Sequence, residues 1–202
     1  MAKKGMLFII SAPSGSGKTS LCKRVVKNVK NLKHSISHTT RAPRPREKEG
    51  INYFFVSEEQ FQKKIKKNEF VEWAKVHQNY YGTSVKMIRD YIDKGTDLIL
   101  DLDVQGAEQL RKKFEKDAVF VFIIPPSLKT LHVRLKDRGS DSDREILRRM
   151  SEADKELSFY EKYDYILVNR DLEETAEQLQ SIIISERCRT NRFSFPKNFY
   201  SR

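Results

Sequence analysis

An apolar run, Leu7-Phe8-Ile9-Ile10-Ser11, passes directly into Ala12-Pro13-Ser14-Gly15-Ser16-Gly17-Lys18-Thr19, and a basic helix-forming segment follows. Strand, small-residue loop and helix are the order that a phosphate-binding loop needs. Glycines let successive backbone N–H groups curl around phosphate oxygens, and the helix N-terminus adds its positive dipole end. Lys18 is then expected to reach the β- and γ-phosphates of a nucleotide, and the Thr19 hydroxyl to ligate Mg²⁺. Ala12 stands where the G-x-x-x-x-G-K-[ST] pattern has its first glycine, which is tolerable if that position avoids positive φ. Because Lys18 is read as touching substrate rather than core, its loss is expected to spare the fold.

The rest of the chain alternates apolar strands with helices. Residues 97–103 and 118–124 are continuous apolar runs, the first finishing in Asp101 and Asp103, the second stopped by Pro125-Pro126. Such runs between amphipathic helices argue for an α/β fold with a parallel sheet covered by helices on both faces. Helices are expected over residues 19–31, 58–67, 84–93, 104–116, 127–137 and 142–157 and from Asp171 past Ile183, with Ser57, Ser142 and Asp171 as caps. Strands are expected over residues 34–40, 52–56, 70–76 and 165–168, and Tyr80-Tyr81-Gly82-Thr83 reads as a turn. The 202 residues suffice for one core with a smaller appended lobe. We expect a single domain, with a core over about 1–36, 95–126 and 160–202, a lobe over about 37–94 and a helical lid over about 127–159.

A net charge of +11 calls for an anionic partner without choosing between nucleotides, nucleic acid and a membrane surface. Two cysteines, Cys22 and Cys188, match neither a disulfide framework nor a metal cluster, so a reducing cytoplasm is the expected setting. His34, His38, His77 and His132 have no metal-ligand spacing. Apolar stretches are too short for a membrane span.

Ligands of open parallel sheets gather at the carboxyl ends of the strands, where Thr19, Asp101 and Asp103 fall. An Asp ending an apolar strand commonly helps to hold Mg²⁺, and the bland alternative is a pair of acids stabilising a helix N-terminus. Arg41, Arg44 and Arg46 sit in a proline-broken loop, where guanidinium forks can grip a phosphate with two hydrogen bonds each. The basic aromatic end, residues 187–202, reads as a docking segment more than as a stacking platform for single-stranded nucleic acid.

These residues resemble a known family. Thr39-Thr40-Arg41-x-x-Arg44-x-x-Glu47-x-x-Gly50-x-x-Tyr53-x-Phe55-Val56 looks like the signature of guanylate kinases. Phe70-Val71-Glu72-Trp73-Ala74, Asn79-Tyr80-Tyr81-Gly82-Thr83, the Leu100 to Gly106 segment and Leu167-Val168-Asn169 continue it in order. The resemblance implies a P-loop nucleoside-monophosphate-kinase fold and transfer of the ATP γ-phosphoryl group to GMP with Mg²⁺. It implies ATP binding by Ala12, Pro13, Ser14, Gly15, Ser16, Gly17, Lys18, Thr19 and Asn169, with Thr19 and Asp101 at the metal. GMP would be held by Ser37, Arg41, Arg44, Glu47, Tyr53, Glu72, Tyr81, Thr83 and Asp103. Lys18, Arg41, Arg134, Arg138 and Arg149 would serve the transferring phosphoryl group, the last three from the lid. His38 and Arg46 replace residues that are usually small in relatives. Use of dGMP and homo-oligomerisation are left open.

The chemistry agrees with that assignment. Guanine presents N1–H and N2–H₂ as adjacent donors, so one carboxylate such as Glu72 can accept both. Adenine would face it with a lone pair, a mismatch worth about 10⁴-fold or more. Taken alone, Glu72 would read as an exposed strand residue beside Lys75. Two other classes compete with an enzyme, namely a non-catalytic peptide-binding module on the same fold and a basic nucleic-acid binder.

Overall fold

A computed structural model describes residues 4–45, 47–76, 78–114, 117–137 and 142–193. Strand β1 (Leu7–Ser11) leads through the glycine loop into helix α1 (Lys18–Asn28) and the short strand β2 (Leu32–His34). The chain then builds β3 (His38–Thr39), β4 (Phe54–Phe55), α2 (Glu58–Lys66), β5 (Phe70–Val76), β6 (Asn79–Ser84) and α3 (Val85–Asp93). It continues through β7 (Asp97–Asp101), α4 (Val104–Phe114), β8 (Ala118–Ile124), α5 (Leu128–Asp137) and α6 (Asp143–Leu157). Strand β9 (Tyr165–Val168) and helix α7 (Leu172–Arg187) follow.

The larger sheet is parallel, in the order β2-β7-β1-β8-β9. Its central strand is buried on both faces, which is why it is apolar without alternation. Phe8 and Ile10 pack with Leu21 and Val25 of α1 and with Leu179 and Ile183 of α7. Leu7 and Ile9 point the other way, into a cluster with Leu98, Leu100, Leu110 and Phe120. The apolar run that precedes the glycine loop is thus anchored between two layers, and the loop leaves from the middle of the sheet.

The smaller sheet is mixed, in the order β4-β3-β6-β5, with β3 and β4 parallel and the other pairs antiparallel. Helix α2 starts with the expected capping box, in which Ser57 and Gln60 each bond the other's backbone N–H. Helices α5 and α6 pair through Leu131, Leu135, Ile146 and Ala153 in a cluster of their own. Among the described residues, no helix is long and apolar enough to cross a membrane.

Two expectations about local structure are corrected. Residues 34–40 do not form one strand. After β2 the Ser35 N–H still bonds Ile99, then the chain leaves the parallel sheet, and β3 belongs to the other one. Residues 80–83 are not a turn but the middle of β6, paired antiparallel with β5. Gly82 suggested a bend, yet a Cβ there would lie 3.0 Å from Phe61 and 3.1 Å from Phe70. The glycine is needed for aromatic packing, and the true reversal falls at Gln78, in the left-handed region at φ 71°.

Candidate active site

The loop between β1 and α1 is shaped by two glycines with positive φ, Gly15 at 95° and Gly17 at 89°. A Cβ on Gly15 would lie 2.8 Å from Leu131 Cδ1, and one on Gly17 would lie 2.5 Å from Asn169 Nδ2. Both positions therefore exclude side chains by conformation and by space. Ala12 avoids positive φ and is buried, so the departure from the first glycine costs the loop nothing. Asn169, buried at the end of β9, donates from Nδ2 to the Ser16 carbonyl at 2.6 Å and braces the loop from below.

Lys18 lies against the end of β7. Its ammonium is 2.6 Å from Asp101 Oδ1 and donates to the Leu102 carbonyl, while the Thr19 hydroxyl donates to Asp101 Oδ2 at 2.9 Å. Burial alone would push the Asp101 carboxyl up and the Lys18 ammonium down. The opposite charge beside each reverses the sign, so Asp101 titrates below its ordinary value and Lys18 above. Lys18 is thus a partner in a largely buried ion pair as well as a residue lining the cleft. Its loss is therefore expected to carry a stability cost that the sequence alone did not suggest.

A cleft of about 650 Å³ runs from this loop to the smaller sheet. Ala12 to Ser20 line one end, and Ser37, Arg41, Arg44, Tyr53, Tyr81 and Glu72 line the other, with Asp101 and Asp103 between. Arg41 is held in place by Glu47, which accepts from Nη2 at 2.9 Å through each of its oxygens and also accepts the Arg44 N–H at 2.8 Å. Glu47 itself does not line the cleft. It fixes the shape of the arginine loop, and the guanidinium sits 5.4 Å from the Tyr53 ring centre.

Glu72 is buried, contrary to what its position in an ordinary strand would suggest. Its Oε1 accepts from the buried Thr83 hydroxyl across the β5–β6 pair. Burial pushes its carboxyl up to about 7; the Thr83 bond opposes that shift and the nearby Asp103 charge adds to it. Asp103 also caps α4 by accepting the Gly106 N–H at 2.8 Å. A Cβ on Gly106 would come 2.9 Å from Glu72 Oε2 and 3.3 Å from Asp103 Oδ1, so the bare helix turn leaves these two carboxylates room.

Of the three lid arginines expected at the transferring phosphoryl group, the two that are described stand otherwise. Arg134 donates to the Asn169 carbonyl at 2.9 Å, and Arg149 lies 3.6 Å from Glu145; neither lines the cleft. Arg138 lies outside the described residues, as do Arg46, His77 and the tail beyond Phe193. From α6 the cleft instead receives Arg148, Glu152, Lys155 and Glu156. Glu156 was not anticipated from the sequence. Burial pushes its carboxyl up to about 7, opposed by the Lys18 charge and by the Ser14 N–H of the phosphate loop. Its place three residues after buried Ala153 on one helical face was the available signal.

A parallel sheet whose central strand ends in a glycine-bent loop, with Lys and Thr opening the next helix and an Asp at the neighbouring strand end, defines a P-loop phosphotransferase. A family model described as guanylate kinase matches residues 4–186. A guanylate kinase of Legionella pneumophila is 51% identical over 185 residues, covering 92% of this chain and 88% of that protein. One of Caldanaerobacter subterraneus is 45% identical over 190 residues, covering 94% and 92%. The crystal structure of guanylate kinase from Anaplasma phagocytophilum superposes with a TM-score of 0.80 at 35% identity, covering 94% of this chain and 90% of that one. The chain belongs to the guanylate kinase family.

Proposed function

We propose that this protein transfers the γ-phosphoryl group of ATP to GMP, giving ADP and GDP, in the cytoplasm. The observation that carries this reading is the single cleft in which a phosphate loop, an arginine pair and a buried carboxylate meet. The phosphate loop would take the ATP phosphates on its backbone amides, with Lys18 turning from Leu102 toward the β- and γ-oxygens. Arg41, Arg44, Tyr53 and Tyr81 would grip the GMP phosphate. Glu72, ionised and steadied by Thr83, would accept the two adjacent guanine donors, with Ser37 and Asp103 beside it.

Mg²⁺ fits the donor set. The Thr19 hydroxyl and an Asp101 carboxylate oxygen, 2.9 Å apart beside the loop, are the hard oxygen ligands that it prefers. Bound there, it would neutralise charge on the β- and γ-phosphate oxygens. The protein groups need supply no nucleophile. They hold acceptor oxygen and γ-phosphorus in line, spread positive charge over the equatorial oxygens and keep water out. Arg148 and Lys155, which line the cleft from α6, would share that charge with the loop. The expected arginines 134, 138 and 149 would join them through movement of residues 127–159 as a lid.

The test is ADP formation from ATP with GMP, AMP, CMP and UMP as acceptors. Turnover with GMP, at least about 10⁴-fold above AMP in kcat/KM, is expected. Equal use of AMP would remove Glu72 as the base reader, and no turnover with any acceptor would favour a peptide-binding module.

A further inference from the structure

Behind the phosphate loop lies a cluster of which the proposed phosphoryl transfer uses Asp101 alone. The Cys22 thiol, His34 imidazole and Asp101 carboxylate each place one ligand atom within 4.8 Å of the others. They come from three elements, one turn into α1, the end of edge strand β2 and the end of β7. The linear sequence hides this, since residues 22, 34 and 101 have no motif spacing. Cys22 is fully buried, and His34 Nε2 is buried without a hydrogen-bond partner. An orphaned nitrogen on an imidazole that lies beside a thiol and a carboxylate is a group whose polar requirement the fold leaves unmet.

We propose that Cys22, His34 and Asp101 form a site for a thiophilic divalent cation of the zinc class, and that its occupancy inhibits the enzyme by taking Asp101 away from Lys18 and Thr19. Sulfur, nitrogen and carboxylate oxygen are the zinc ligand set. At ordinary bond lengths a tetrahedral ion would draw them to roughly 3.4–3.6 Å apart, a side-chain adjustment from the present spacing. The fourth position falls to water. Binding releases the thiol proton to solvent and replaces the Lys18–Asp101 ion pair by a metal–carboxylate bond. Mg²⁺, which avoids sulfur, is a poor competitor there. Entry is through Asp101, which borders the cleft. The Lys18 and Lys23 charges both act on His34, and displacement of the Lys18 ammonium from Asp101 is part of the exchange.

The inhibitory half rests on the proposed roles of Lys18 and Asp101, whereas metal uptake does not, and the experiment separates them. Cobalt(II) is titrated into the nucleotide-free enzyme carrying Cys188→Ser, which removes the exposed thiol. One equivalent with a thiolate-to-cobalt charge-transfer band is expected, displaced by zinc. The band should vanish in Cys22→Ser, and zinc affinity should fall by about tenfold or more in His34→Val. The second variant decides the matter if the first does not fold. Zinc in excess Mg²⁺ should inhibit ADP formation, with the inhibition constant raised by the same factor in His34→Val at unchanged basal turnover. Absence of the band, or its survival in Cys22→Ser, overturns the site. Equal inhibition of both proteins overturns the link to Asp101.

Discussion

Raising the pH from 6 to 8 is expected to tighten GMP binding through one carboxylate. Free Glu72 is held near 7 by burial, so its neutral form is the favoured one in mildly acidic solution. Guanine N1–H and N2–H₂ can be accepted together only by the ionised form. Binding therefore selects that form, pulls the Glu72 pKa down and expels a proton. About one molecule in eleven is ionised at pH 6 and about ten in eleven at pH 8, so the apparent Kd should fall about tenfold, or about 1.4 kcal/mol. Titration calorimetry at pH 6, 7 and 8, in buffers of different ionisation enthalpy, measures both the affinity and the protons released. At pH 7 about half a proton should leave with each GMP bound. The GMP phosphate itself titrates near 6 and contributes to the same trend. Glu72→Gln keeps that contribution and loses the other, so the variant should bind more weakly, with a shallower pH profile and about half a proton less released. Parallel profiles for the two proteins would refute the assignment of guanine to Glu72.

Stability should move the opposite way with pH. Glu72 and Glu156 both titrate near 7 in the folded protein, above the ordinary glutamate value near 4.5, so the native state binds more protons than the unfolded chain in that window. Stability then falls as pH rises toward and through 7. Burial holds His34 and His38 below their ordinary value, and these cost stability as pH falls below about 6.5. The urea midpoint should therefore be highest near pH 6 and lower at pH 8, with a smaller drop in Glu72→Gln; a midpoint that climbs from 6.5 to 8 would refute this. Lys18→Ala should abolish ADP formation and also destabilise the fold by about 3 kcal/mol, because it strands a buried carboxylate. Adding Asp101→Asn should recover part of that loss in urea denaturation, and strict additivity would show the pair to be uncoupled. Gly106→Ala should raise KM for GMP at least several-fold with little change in KM for ATP, since the new methyl meets Glu72 and Asp103 but not the phosphate loop. Equal shifts for both nucleotides would argue against it.

Elements specified by local chemistry were legible in the sequence. The buried strand β8, the half-exposed β9 and the caps at Ser57, Ser142 and Asp171 fall where pattern and capping place them. What was not legible depends on partners distant in the chain. Gly82 looked like a bend because nothing nearby discloses that Phe61 and Phe70 will press against it. Glu72 looked exposed because its burial is created by Thr83 across the strand pair and by α4. Arg134 was expected at the transferring phosphate from the family resemblance, and a matching motif does not disclose what the side chain meets in this chain, here the Asn169 carbonyl. Glu156 escaped notice because an acid is an unexpected occupant of a site for anions.

The chain departs the parallel sheet just after His34 and rejoins it at Asp97, and those two points are neighbours, with Leu32 directly beside Asp97 in the β2–β7 ladder. Apart from Asp103, everything that would read the acceptor base and its phosphate thus hangs from a single doorway, like a cassette plugged into a socket. Apart from that doorway it touches the donor machinery along α4, where Gln109 bonds the Trp73 backbone in both directions and Lys113 reaches Val71, and through α3, whose Ile88 packs with Leu98 and Leu100. An architecture of this kind lets acceptor choice be rewritten by exchanging one continuous piece of chain, provided the newcomer matches that helix surface.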